Sequence, residues 1–327
     1  MKQRRLGATG LTVPAIGLGC MGMSQGYGRT SDAESADTLQ RAVELGMTFW
    51  DTAQSYGAGH NETLIGTALV GRREDIQLAT KVGIVRTAEG VRIDAHPQRI
   101  RACCEASLRR LGTDYIDLYY LHRVDPNVPI EESIGAMVEL VAAGKVLQLG
   151  LSEVTSEQLE RAATVHAIAA VQIEWSLWWR EPEDDVIPAA RRLGVGIVPY
   201  CPLGRGFLTG EAPREAPDPV DMRSGDGRFV GSALDRNLQV VREVSRIATE
   251  LDVTTAQIAL AWLLAQGEDV VPIPGTRKAK HLKNNAAAAG ITLSEDVLAA
   301  LEAVAGRRAW SGDRRSFAAQ HVRRSAG

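Results

Sequence analysis

Short apolar runs alternate with amphipathic stretches along most of the chain. Eight of these runs, residues 16–19, 47–50, 76–79, 116–121, 146–151, 170–173, 196–199 and 270–273, are nearly continuous in hydrophobic character. That is the pattern of parallel strands covered on both faces. The last two carry proline, which has no N–H for a sheet ladder. The intervening stretches repeat apolar residues at helical spacing. Ala36, Leu39 and Val43 follow Ser31-Asp32-Ala33-Glu34, which has capping-box spacing. Ile100, Cys104, Leu108 and Leu111 lie between Pro97 and Gly112, an opening and a closing signal. Ile130, Ile134, Met137, Val138 and Val141 form a third stripe, and Thr155–Gln158 and Thr254–Gln257 have two more capping-box spacings.

Eight strand–helix repeats in 327 residues predict a single (β/α)8 barrel domain over 1–327, an α/β fold of the TIM-barrel kind. Residues 2–6 and 11–14 flank Gly7-Ala8-Thr9-Gly10 and predict an N-terminal β-hairpin over one barrel end, with extra helices expected near the C-terminus. A doubly wound sheet is the rival. Gly17, Gly19 and Gly22 have the dinucleotide-fingerprint spacing, but turn residues run on to Ser31 before a helix starts, so that fold is rejected. Residues 204–235 break the alternation, being rich in Gly, Pro, Asp and Arg; they are expected to form a long loop over the barrel mouth. The tail after Ala305 is expected to be loose.

Composition narrows the function classes. Net charge is −3, which gives no basic surplus for nucleic acid or anionic membrane. No apolar stretch reaches membrane-spanning length. Cys20, Cys103, Cys104 and Cys201 have no metal-like spacing and read as reduced thiols of a cytoplasmic protein, with no metal expected.

In a barrel of this kind the active site lies at the C-terminal strand ends. Asp51 ends the second run with Tyr56 five residues on, Lys81 ends the third and His122 the fourth. Each has a structural reading when taken alone, as cap, ion pair or loop aromatic. Together they make a device. A phenol holds its proton at neutral pH, and a nearby ammonium lowers its pKa. Lys81, held by Asp51, would do this for Tyr56, the general acid for a carbonyl oxygen. His122 would donate a second hydrogen bond to that oxygen. With no nucleophile elbow in sight, the hydride must come from a cofactor.

These residues carry a family resemblance. Phe49-Trp50-Asp51-Thr52-Ala53-Gln54-Ser55-Tyr56-Gly57, Leu78-Ala79-Thr80-Lys81 and Asp117-Leu118-Tyr119-Tyr120-Leu121-His122-Arg123 resemble, in order, three motifs of the aldo-keto reductases. Residues 172–178 and 201–206 are most similar to the branch with perakine reductase and pyridoxal reductase-like enzymes. The resemblance implies NADP(H) as cofactor, an aldehyde or ketone as substrate, and catalysis by Tyr56, Lys81, Asp51 and His122.

It also implies the cofactor contacts. Ser152 and Gln172 would hold the nicotinamide carboxamide, and Tyr200 would stack on the ring. Cys201, Pro202, Leu203, Gly204, Arg205 and Gly206 would follow the pyrophosphate. Gly275, Thr276 and Arg277 would hold the adenosine 2′-phosphate, with Lys278 beside them. His281 stands where many relatives have arginine, and Asn284 and Asn285 would contact adenine. Glu153 departs from the asparagine common in the family and is left out of the set. An NADP(H)-binding regulatory subunit, like the potassium-channel β subunits, is the alternative function, and unrelated phosphate chemistry in the same barrel is a third. The substrate pocket is expected in loops 22–30, 86–96, 123–129 and 204–235.

Overall fold

The computed structural model describes residues 1–87, 90–210 and 221–314. An antiparallel hairpin, β1 (Gln3–Leu6) and β2 (Leu11–Pro14), opens the chain. It covers the end where the strands begin. There Arg4 Nη1 donates to the carbonyls of Gly267 and Val270 at 2.7 Å each, and Leu6 enters the barrel interior.

The repeat then begins. β3 (Leu18–Gly19) leads to α1 (Asp32–Glu44), β4 (Phe49–Asp51) to α2 (His60–Leu69), and β5 (Gln77–Val82) to a small hairpin, β6 (Ile84–Thr87) and β7 (Gly90–Ile93), before α3 (Pro97–Leu111). β8 (Ile116–Leu121), α4 (Ile130–Ala142), β9 (Val146–Ser152), α5 (Ser156–Val165), β10 (Ile168–Glu174), α6 (Val186–Arg192) and β11 (Gly196–Tyr200) continue the repeat. The chain goes on with α7 (Gly231–Glu250), α8 (Thr255–Ala265), α9 (Ala279–Ala287) and α10 (Glu295–Ala305). The strands β3-β4-β5-β8-β9-β10-β11 are neighbours in that order, all parallel. The result is the (β/α)8 barrel. Its extra helices are α10 and α7, which pack on each other, α7 lying before the last strand run rather than after it.

Residues 270–273, expected as an eighth strand, form only isolated bridges. Alternating prolines are the reason. The N–H groups of Val271 and Ile273 donate to Ile197 and Pro199 at 2.9 and 3.0 Å, and the carbonyls of Pro272 and Pro274 accept from Gly17 and Gly19 at 3.0 and 3.3 Å. The two prolines have no N–H to return, so the run closes the barrel with half a ladder on the β3 side.

Local signals explain the helix starts. Thr155 and Thr254 form complete capping boxes, while at Ser31 only the side chain to Glu34 N–H half is made. Residues 204–210 and 221–235 are more ordered than expected. Helical turns span Gly204–Thr209, Met222–Gly225 and Gly227–Phe229, and α7 is already under way at Gly231. Asp221 and Asp226 hold the later turns, each accepting from a backbone N–H two residues on and from the arginine there. Residues 211–220 lie outside the described part. The tail expected to be loose is anchored as far as Arg314: Trp310 is buried with its indole N–H on the Ala305 carbonyl at 2.9 Å. Among the described residues no single helix is long and apolar enough to cross a membrane.

The interior follows from strand periodicity. Alternate residues point inward, so Phe49, Ala79, Leu118, Tyr120, Ala170, Val198, Val271 and Ile273 form one buried cluster inside the sheet. Gly150 is needed beside them, because a Cβ there would lie 2.5 Å from the Tyr120 ring. Two larger clusters fill the space between sheet and helices. Trp50 lies in one and donates to Met47 O at 3.0 Å.

Candidate active site

One further step of two residues along each inward row reaches the mouth. Phe49 is followed by Asp51, Ala79 by Lys81, Tyr120 by His122, Gly150 by Ser152, Ala170 by Gln172 and Val198 by Tyr200. The apolar interior is thus capped by a polar layer built from the same rows.

Lys81 is fully buried in that layer. Its Nζ donates to Asp51 Oδ1 through a short contact, to Thr52 O at 2.7 Å and to Tyr56 Oη at 3.3 Å. Gln172 Nε2 donates to the other Asp51 oxygen at 2.7 Å. The result is a continuous chain from Gln172 through Asp51 and Lys81 to the phenol. The Tyr56 and His122 rings meet edge to face, centroids 5.9 Å apart. Asn61 secures the turn behind them, accepting from Thr52 Oγ1 at 2.6 Å and donating to Cys20 O at 2.9 Å.

Burial dominates the electrostatics. It lowers the Lys81 pKa from 10.5 and raises that of Asp51, each opposed by the partner's charge. Burial, with the Asp51 charge adding to it, raises the Tyr56 phenol well above 10. The net shift of the phenol is thus upward, set by burial and Asp51 and opposed by Arg123, so Tyr56 is held protonated. Burial, then Arg123, Lys81 and Arg86, push His122 well below 6.5, so its ring is neutral. Its Nδ1 is buried without a hydrogen-bond partner.

Ser152 and Gln172 are register partners on β9 and β10. Ser152 Oγ accepts from Arg123 Nη1 at 3.2 Å. Tyr200 is half-buried at the end of β11. Cys201, Gly204, Arg205 and Gly206 all have positive φ. Gly204 has no alternative there, since φ is +55° and a Cβ would meet Trp178 at 2.5 Å. The Arg205 guanidinium does not point outward as a phosphate ligand would. It is buried against Asp226 at 3.1 Å and Glu174 at 3.8 Å.

Arg205 is part of a buried ionic cluster that the sequence did not reveal. Arg228 binds Glu174 at 2.8 Å and Asp226 at 2.7 Å, and Arg314 binds Glu153 in bidentate fashion and Glu174 at 3.4 Å. Arg314 also reaches Tyr200 Oη at 3.3 Å. Burial pushes the Glu174 carboxyl up, but Arg228, Arg205 and Arg314 outweigh it and hold it at about 2. Glu153, with φ +53°, is thus an anchor for the C-terminal segment.

At the far side, Gly275 bridges to Gly19. Thr276 Oγ1 accepts from Lys278 N at 3.1 Å, just before α9. Arg277 is half-buried and donates to Tyr27 O at 2.9 Å, beside the start of that helix. His281 is exposed, Asn284 donates to Thr254 Oγ1 at 3.0 Å, and Asn285 is buried.

A family model described as the aldo/keto reductase family matches residues 15–305. The chain belongs to the aldo/keto reductase family. It is an oxidoreductase, of a family that acts on small carbonyl substrates. A probable aldo-keto reductase 1 from Glycine max is 45% identical over 317 residues, covering 94% of this chain and 92% of that protein. The glycerol dehydrogenase from Gluconobacter oxydans superposes with a TM-score of 0.87 at 28% identity, covering 96% of this chain and 98% of the other. An aldo/keto reductase from Klebsiella pneumoniae in complex with NADP and acetate superposes with a TM-score of 0.75 at 28% identity, covering 94% and 96%.

Proposed function

We infer that this chain reduces an aldehyde or ketone with NADPH, and that Tyr56, Lys81, Asp51 and His122 carry out the reaction. The observation behind this is the hydrogen-bonded chain from Gln172 to the Tyr56 phenol, with a neutral His122 at its end.

The residues present fit NADP(H). Ser152 and Gln172 offer neighbouring polar groups for a carboxamide, and Tyr200 a half-buried ring for the nicotinamide. The positive φ values of Cys201, Gly204, Arg205 and Gly206 shape a backbone that would suit a pyrophosphate. Arg277, Lys278 and His281 gather at the start of α9, where helix dipole and cationic side chains favour the 2′-phosphate. Asn284 and Asn285 lie one turn further on, toward adenine. When bound, the reduced nicotinamide supplies the hydride.

The chain's own part is to place the carbonyl and handle the proton. Tyr56, kept protonated by burial, donates a hydrogen bond to the carbonyl oxygen. As that oxygen gains charge, the Tyr56 proton moves to it, and Lys81 stabilises the phenolate left behind. Asp51 and Gln172 hold Lys81 charged and aimed. A neutral His122 donates one N–H to the same oxygen.

The test is NADPH consumption with a panel of aldehydes including nitrobenzaldehyde and pyridoxal. Turnover supports the reading. Tight NADPH binding with no turnover on any carbonyl would instead favour a regulatory subunit.

A further inference from the structure

Most of the buried charges described around the mouth are paired. Lys81 is matched by Asp51, and Arg205, Arg228 and Arg314 by Glu153, Glu174 and Asp226. Arg123, directly after His122, has no such match. It is 8% exposed, and among the described residues no carboxylate lies within ion-pair distance of it. Glu153 feels its charge, but the Glu153 oxygens are taken by Arg314 and by the Glu174 N–H. A buried cation without a counter-ion is costly to keep.

The way this guanidinium is held shows which of its donors are spare. Nη1 donates to His122 O at 2.6 Å and to Ser152 Oγ at 3.2 Å. Nε is buried with no acceptor, as is Nε of Arg4 and Arg314, and for Nη2 no hydrogen bond is made among the described residues. The Nε–Nη2 edge is one of the two that can grip a carboxylate through two parallel N–H bonds. Elsewhere in this chain the same edge does so, from Arg101 to Glu139 at 2.6 and 2.7 Å and from Arg161 to Glu131 at 2.7 and 2.8 Å. In Arg123 it is unused, on a residue that adjoins His122 in sequence and bonds Ser152 at the strand ends.

We propose that Arg123 is a specificity-determining residue, and that the preferred substrate is a carbonyl compound bearing a carboxylate, which pairs with the Arg123 Nε–Nη2 edge while Tyr56 and His122 bind the carbonyl oxygen. This rests on the carbonyl reduction argued above and names its substrate class. Nη1 stays on Ser152, so the same residue ties the substrate's acid group to the strand end assigned to the carboxamide.

The experiment compares charged and neutral partners with NADPH: 4-carboxybenzaldehyde against methyl 4-formylbenzoate, and succinic semialdehyde against butanal. The wild-type protein should favour the acid in at least one pair by roughly tenfold or more in kcat/KM, the scale of a charge-assisted bond. Arg123→Met should bring that preference to within about twofold while leaving the neutral partner largely unaffected. Arg123→Lys should restore part of it. Equal use of both partners by the wild type would overturn the proposal. So would a loss in Arg123→Met that is the same for both partners and accompanied by weaker NADPH binding, which is what mere positioning of Ser152 predicts. A larger preference for glyceraldehyde 3-phosphate over glyceraldehyde would overturn the carboxylate in favour of phosphate. No NADPH binding by the wild type would overturn the underlying function, and this inference with it.

Discussion

Two groups of buried charges sit side by side at the barrel mouth and differ in how their charges are paired. In the ionic cluster, Glu153, Glu174 and Asp226 face Arg205, Arg228 and Arg314, and every carboxylate has a guanidinium partner. In the adjacent layer His122 Nδ1 and Arg123 Nε are buried without partners, and the Tyr56 hydroxyl meets Lys81 only through a long 3.3 Å contact. Buried polar groups normally find partners, so the exceptions need a reason. The charge-matched group ties together strand ends, the segment after β11 and the C-terminal stretch, although Arg314 Nε within it is also buried without a hydrogen-bond partner. The unsaturated group has donors left over for a ligand.

That contrast predicts which substitutions affect activity and which affect stability. The largest effect is expected from Tyr56→Phe, which should lower kcat by about 10²–10⁴, the range for a positioned general acid. NADPH titration should show unchanged affinity and circular dichroism an unchanged melt. Glu174→Ala should do the reverse, costing about 3–5 kcal/mol in denaturant unfolding, because it leaves buried guanidiniums uncompensated. If Glu174→Ala melted like the wild type, the cluster would not be scaffold.

Arg277→Ala sharpens the comparison at the adenosine end. It should raise the Kd for NADPH roughly tenfold, the scale of one charge-assisted bond, with little change for NADH. The smallest effects are in pH dependence, and they separate the two groups. The folded-state pKa of His122 lies below the usual 6.5. The unfolded chain therefore takes the proton first, and stability present above 6.5 declines as pH falls below it. The folded-state pKa of Glu174 is about 2 against the usual 4.5, so its share is present above 4.5 and is lost as pH falls toward 2. Melting temperature followed across pH should show both declines, and His122→Asn should remove only the upper one.

The site was legible in the sequence where strand periodicity governs. Asp51, Lys81, His122, Ser152 and Gln172 each end an inward row, so eight apolar runs were enough to bring them to one end of a barrel. Tyr56, five residues past a strand end, was read from the chemistry of its neighbours, while the roles of Ser152 and Gln172 came from the family resemblance. The ionic cluster was hidden because Asp226, Arg228 and Arg314 lie in stretches whose Gly, Asp and Arg content reads as turn or tail. Nothing local says that Arg228 will meet Glu174, 54 residues away. Arg205 looked like a phosphate ligand for the same reason: its charge was visible and its partners were not. Pro272 was visible as a ladder breaker, Pro274 just past the run was not, and only the fold shows that half a ladder suffices to close the barrel.

Isotope transfer tests the central claim most directly. NADPH carrying deuterium at the transferable C4 position is mixed with the protein and an accepted aldehyde, and the alcohol is examined by NMR. The account predicts deuterium on the former carbonyl carbon, and Tyr56→Phe forming that product at least a hundredfold more slowly, roughly the lower bound for losing a general acid. Alcohol without deuterium, or full-rate transfer in Tyr56→Phe, would contradict it.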